Sequence, residues 1–243
     1  MHSPYERRVS AKTIMASQST THPERKKIFI VDDHPVFREG LVVLVKREAD
    51  LAVCGEADTA VAALEGIKKL QPDLVLADIG LPGKSGMELI KDLQALCPEI
   101  PVLVISMHDE TLYAERVLRA GGRGYIMKQE GPERILQGIR QTLAGQLYLS
   151  PKMSGRVLDA ISGRNARNRP PVARLTDREL EILQLLGQGK DSHAIAAQLN
   201  LSVKTVDAHR GNIKEKLNLE SGTELICFAA RWVETQPSGN GSN

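Results

Sequence analysis

Four short apolar runs in the first half of the chain each stop on a polar residue. Ile28–Val31 ends at Asp32-Asp33, Leu74–Ala77 at Asp78, Val102–Ile105 at Ser106, and Tyr125–Met127 at Lys128. A further run, Leu51–Glu56, also has strand character. Between these runs, apolar residues recur at three- and four-residue spacing. One such stretch begins near Pro35, and a second runs from Asp58 or Thr59 to Leu70 with Pro72 as a stop. Others lie around Met87–Leu96, over 110–120 before Gly121-Gly122, and over Pro132–Ala144. Brief apolar runs read as buried strands and the spaced stretches as amphipathic helices. Their alternation predicts five β/α units and a parallel sheet with helices on both faces, built by right-handed crossovers.

The pattern changes after residue 145. Pro151–Ile161 has the spacing of one helix, and Ser162–Pro171 is a basic linker with little to bury. Beyond it no strand signal remains. Thr176-x-x-Glu179 and Ser221-x-x-Glu224 are capping-box patterns that open helices. Ser192–Leu199 and Ser202–Leu217 read as two more, joined by Asn200-Leu201. The expected fold class is therefore α/β: a five-stranded parallel doubly wound domain over residues 26–145, then a small all-α four-helix domain over 172–235. Residues 146–171 would link the two, and 1–25 and 236–243 would be a disordered leader and tail. Met15 is an alternative start.

Composition narrows the class without choosing a function. The chain is 42% hydrophobic but only 3% aromatic, so its cores must rest on aliphatic side chains. No apolar run approaches the roughly 20 residues that span a bilayer, and the N-terminus lacks the apolar core of a secretory signal. Cys54, Cys97 and Cys227 have no metal-type spacing and read as reduced thiols of a cytoplasmic protein. The net charge of +2 is unevenly spread: +2 over 1–25, −3 over 26–145, +4 over 146–171 and −1 over 172–243. Binding to nucleic acid has to be argued from local charge, not from the total.

In an open α/β sheet the strand ends meet at one edge, where ligands bind. Asp32, Asp33 and Asp78 gathered there would repel one another unless a divalent cation and Lys128 neutralised them, which suits the handling of phosphate. Taken singly, each aspartate could instead cap a helix.

These strand ends, with Ile79-Gly80-Leu81-Pro82, Gly86-Met87-Glu88 and Gly122-x-Gly124-Tyr125, resemble the response-regulator receiver family over about residues 27–145. The resemblance implies that a histidine kinase donates a phosphoryl group to Asp78, which acts as nucleophile. It implies a Mg²⁺ ion on Asp33, Asp78 and the backbone carbonyl of Gly80, with Asp32 holding a metal-bound water. Lys128 would supply charge and Ser106 a hydrogen bond to the new phosphate. Ser106 and Tyr125 resemble the family's switch pair, in which the ring moves into space the hydroxyl vacates; a half-buried edge-strand tyrosine is the other reading.

Leu175-Thr176-x-Arg178-Glu179, Ile182-Leu183-x-Leu185-Leu186, Gly189, Ile195-Ala196, Thr205-Val206-x-x-His209 and Lys216-Leu217 resemble the LuxR-type helix-turn-helix of the NarL/FixJ class. The resemblance implies that helix 192–199 crosses a DNA backbone and helix 202–217 enters the major groove. Lys204, Thr205, Asp207, Ala208 and Arg210 are then left for the groove, and His209 and Lys214 for phosphates. Asp207 would either accept from a cytosine amino group or pair with Arg210.

The expected function is transcription regulation, not enzymatic turnover, through double-stranded DNA and, on phosphorylation, a homodimer. The receiver could cover helix 202–217 before phosphorylation, or dimerisation through the last helix could be the controlled step. Leu225, Phe228, Ala229 and Trp232 would form that dimer face or the core of the domain. Two rivals remain. One is a receiver that only binds other proteins; the other is a haloacid-dehalogenase-like phosphatase, which lacks support because no second acid stands two positions after Asp78.

Overall fold

The computed structural model describes residues 25–151, 153–155 and 171–235. The expected leader, except Arg25, the tail 236–243 and most of the segment 146–171 lie outside the described residues. Pro151 and residues 153–155 are helical, and the rest of the helix expected over 151–161 also lies outside them.

The first domain alternates β1 (Lys26–Val31), α1 (Pro35–Lys46), β2 (Leu51–Ala57), α2 (Ala60–Leu70), β3 (Leu74–Ala77), α3 (Gly86–Leu96), β4 (Val102–Ser106), α4 (Glu110–Arg119), β5 (Gly124–Met127) and α5 (Pro132–Leu143). The strands form one parallel sheet in the order β2-β1-β3-β4-β5. Side chains alternate across a strand, and the consequence is visible residue by residue. Ile28, Ile30, Leu74, Leu76, Leu103 and Ile105 pack against α1 and α5. Phe29, Val31, Val75, Ala77, Val102 and Val104 pack against α2, α3 and α4. Both faces are covered, which explains why the strands read as continuous apolar runs.

Local chemistry sets the helix starts. Pro35 opens α1 at a position where its missing N–H costs nothing. Thr59, not Asp58, caps α2 by accepting from the Ala62 amide. Ser85 and Glu88 form a full capping box on α3. Gly86, the next residue, is pressed so close to β3 that a Cβ there would lie 1.9 Å from the carbonyl oxygen of Asp78.

The second domain holds α6 (Asp177–Gly187), α7 (Ser192–Leu199), α8 (Val203–Leu217) and α9 (Gly222–Thr235), after a short 3₁₀ turn at Pro171–Arg174. Thr176 and Glu179 make the expected capping box. At Ser221 the box is altered: Ser221 accepts from the Glu224 amide, but the Glu224 carboxylate reaches the amide of Glu220. Asn200 and Asn218 close α7 and α8 in the left-handed conformation that asparagine tolerates. Leu225 and Ala229 are fully buried core, while Phe228 and Trp232 are partly buried against it. The core reading of that stripe therefore holds for Leu225 and Ala229. No helix of the described residues is long and apolar enough to cross a membrane.

The buried cluster under α2, α3 and α4 continues into Val172, Leu175, Leu180 and Leu183 of the helical domain. The two domains therefore meet on the sheet edge where β3 and β4 end.

Candidate functional site

β1, β3, β4 and β5 finish side by side, so Asp32, Asp78, Ser106 and Lys128 converge. Lys128 Nζ lies 2.7 Å from Asp32 Oδ2 and 2.6 Å from Asp78 Oδ2, with all three side chains almost wholly buried. The ammonium also sits 4.7 Å from the centre of the Phe37 ring. The Ser106 hydroxyl donates to Asp78 Oδ1 at 2.7 Å, and the Ile79 amide donates to the same oxygen at 2.6 Å. Burial pushes the Asp78 carboxyl up, but Lys128 and the Ser106 hydrogen bond outweigh it and hold the carboxyl below its usual range.

Asp33 faces the same pocket on its more open side. Burial raises its carboxyl above the usual range, with repulsion from Asp78 and Asp32 added, against the pull of His34. His34 Nδ1 is 2.7 Å from Asp33 Oδ1, but the approach is not along a hydrogen-bond direction, and that oxygen has no hydrogen-bond partner. Ligand atoms of Asp32, Asp33, His34 and Asp78 all lie within 4.8 Å of one another. Three carboxylates against one ammonium leave an excess of negative charge, and one buried oxygen is unsatisfied. These residues fit a small divalent cation with oxygen ligands.

Ser106 and Tyr125 are both fully buried, so Tyr125 is not a half-exposed edge residue. Its hydroxyl donates to the His108 carbonyl at 2.7 Å. With Ser106 already turned to Asp78, the two side chains stand inward together.

The helical domain supplies the roof. The Gly83 amide donates to the Leu199 carbonyl at 3.1 Å, and Arg178 donates to the Gly83 carbonyl. Arg116 on α4 donates to the carbonyls of Leu175 (2.8 Å) and Val172 (3.3 Å) and pairs with Asp177 at 3.0 Å. Lys91 reaches the same Asp177 at 2.9 Å. His108 Nδ1 lies 2.9 Å from Gln184 Oε1. A cavity of about 540 Å³ remains between the domains, lined by Asp33, His34 and Asp78 below and Glu181, Gln184 and Gln198 above. His34, His108, Glu181 and Gln184 were not singled out from the sequence. His34 stands three residues past the end of β1 and His108 two past the end of β4, a signal that was available. Nothing in the sequence of one domain announces that the other will lie upon it.

On α8, Lys204, Asp207 and Ala208 are exposed. The bonds between the domains come from the 3₁₀ turn, α6 and α7, so α8 is not the element held against the sheet edge. Ser192 Oγ links Asp207 Oδ1 at 2.8 Å to Arg210 at 2.5 Å. Arg210 and Asp207 are themselves 3.7 Å apart, which favours the paired reading of Asp207. The Thr205 and Ser202 hydroxyls are 2.7 Å apart. Lys214 is partly exposed. His209 is partly exposed, with its Nδ1 buried and without a hydrogen-bond partner. It shares the inner side of α8 with Val206 and Ile213, because positions 206, 209 and 213 stack on one helix face.

The chain matches the response regulator receiver domain over residues 28–140 and the luxR family of bacterial regulatory proteins over 173–229. It is 35% identical to the oxygen regulatory protein NreC of Staphylococcus carnosus over 210 residues, 84% of this chain and 97% of that one. It is 30% identical to the transcriptional regulatory protein DegU of Brevibacillus brevis, over 86% of this chain and 96% of the relative. Among solved structures, the RcsB response regulator of Salmonella typhimurium superimposes with a TM-score of 0.63 at 25% identity, covering 86% of this chain and 98% of that one. A LuxR-family response regulator from Aurantimonas matches 57% of the chain, and 99% of its own, with a TM-score of 0.53 at 31% identity. A receiver sheet carrying an acid-and-lysine edge, joined to a LuxR-type helix-turn-helix, makes this chain a two-component response regulator of the NarL/FixJ family, a phosphorylation-dependent regulator of transcription.

Proposed function

We propose that Asp78 is the phosphoacceptor and that its modification by a histidine kinase governs DNA binding by the helical domain. The carrying observation is the hydrogen-bonded triangle of Asp78, Lys128 and Ser106 at the sheet edge. One Asp78 oxygen is held by Lys128 and the other by Ser106 and the Ile79 amide, so the side chain is locked in place with a low proton affinity. Such a carboxylate is ionised and oriented to attack phosphorus. Lys128 and Ser106 then stand where the transferred oxygens come to rest, and supply charge and a hydrogen bond. Asp33, Asp78 and the Gly80 carbonyl would hold Mg²⁺, with Asp32 holding one of its waters; the ion would offset negative charge on the transferring group.

On the DNA side, Lys204, Thr205, Asp207, Ala208 and Arg210 are the residues we assign to the groove, and His209 and Lys214 to phosphates. The domain's −1 net charge leaves phosphate contacts to be completed by a second copy. RcsB has been solved as two dimers bound to two parallel DNAs, which is consistent with a dimer here. The domain limits follow the two units, 26–145 and 172–235.

Incubation with acetyl phosphate and Mg²⁺ should label the parent chain and leave Asp78→Asn unlabelled. Full labelling of that variant removes Asp78 from the nucleophile role. A gel shift at two salt concentrations tests the other half, since phosphate contacts make affinity fall as salt rises.

A further inference from the structure

The roof over Asp78 is chemically specific. The α6 helix turns Glu181 and Gln184, one helical turn apart, into the same cavity as the phosphoacceptor. Gln184 is held by His108, whose Nε2 lies 3.6 Å from where a Cβ on Gly80 would be. Arg116 and Lys91 make their contacts across the domains away from this cavity, while Arg178, which donates to the Gly83 carbonyl, also donates to Glu181 Oε2 at 2.8 Å and engages one oxygen of that carboxylate. They hold α6 down and leave Glu181 and Gln184 facing the gap. At about 540 Å³ the gap is large enough for a phosphoryl group and several waters, each of which needs about 30 Å³ of liquid volume.

We propose that α6 completes a hydrolytic site over phospho-Asp78, in which Gln184 orients a water and Glu181 takes its proton, so that the closed molecule removes its own phosphoryl group. This rests on Asp78 being the phosphoacceptor. In the step, the water oxygen forms a bond to phosphorus while the bond between phosphorus and the Asp78 oxygen breaks. Asp78 leaves as carboxylate with the electron pair, the water proton passes to Glu181, and inorganic phosphate departs. No other reactant is needed.

The setting of Glu181 suits a base. Burial lifts its carboxyl to about 7, with Arg178 pulling it down and Glu88 and Asp78 pushing it up. A base works best when its proton affinity lies near the working pH. Burial lowers the proton affinity of His108 against the pull of Asp78, and its ring, 2.9 Å from Gln184 Oε1, can fix that amide.

The test uses the full chain, labelled with acetyl phosphate and freed of donor, with phospho-Asp78 decay followed on phosphate-affinity gels. Glu181→Gln should lengthen the half-life about 100-fold, the low end for a lost proton-transfer group, and Gln184→Leu should lengthen it as well, by less. Arg116→Ala, which breaks the domain contact without touching the cavity, should lengthen it as well. Hydrolysis in ¹⁸O-water should place the label in inorganic phosphate. Half-lives within twofold of the parent in all three variants, shorter half-lives, or ¹⁸O in the Asp78 carboxylate would each overturn the inference. A parent chain that takes no label would instead overturn the phosphoacceptor reading.

Discussion

At the scale of single residues, Lys128 balances two buried acids at once. Removing one partner of a buried ion pair leaves the other charged and dry, a cost of about 3–5 kcal/mol. Lys128→Met should therefore lower the unfolding free energy by about 3 kcal/mol, read from urea denaturation, with millimolar Mg²⁺ restoring part of the loss. Asp78 adds a pH dependence. Its folded proton affinity is depressed, so its contribution is complete above the unfolded value near 4 and disappears as pH falls through the folded one. Asp78→Asn should flatten that acid limb in melts between about pH 5 and 3. The residues of this edge were legible because each ends an apolar run. Glu181 was not, since its surroundings come from burial between domains and not from neighbours in the chain.

Helices and turns carry their own tests. Thr176 accepts from the Glu179 amide, and Glu179 also receives Lys216 of α8 at 2.7 Å. Loss of a cap costs about 1 kcal/mol, so Thr176→Ala should lower stability by about that amount in thermal unfolding of the full chain. Gly86→Ala should cost more, about 3 kcal/mol, because its Cβ would meet backbone that cannot rotate away. Every strand and helix of the described residues was foreseen within a few positions, since strands with both faces covered and capped helices leave strong local patterns. His209 was the least legible for the opposite reason. Sequence spacing gave its place on α8, but whether that side met DNA or α6 depended on how three helices pack.

Across the whole molecule, closure buries Glu181. Its carboxyl is raised to about 7 in the closed form, facing Arg178, Glu88 and Asp78, so the closed form binds a proton that the open form releases above its ordinary range. The contact should be strongest below about pH 4.5 and weaken as pH rises through 7. X-ray scattering from the intact chain between pH 5.5 and 8.5 should show a growing radius of gyration, and Glu181→Gln should remove the trend. Contact of the receiver with the helical domain was one of the sequence's open readings, but not that α6 and α7 rather than α8 make it, because that depends on surfaces formed only after each domain has folded.

Arg116 ties the two domains at a single point on α4. One guanidinium on α4 clasps two carbonyls and a carboxylate of the helical domain, and α4 follows directly from the loop that carries His108, just past Ser106 at the end of β4. Arg116 would then act as a pivot: a slight tilt of α4 would carry the helical domain with it, and the displacement would grow with distance, as along an oar, toward the exposed residues of α8.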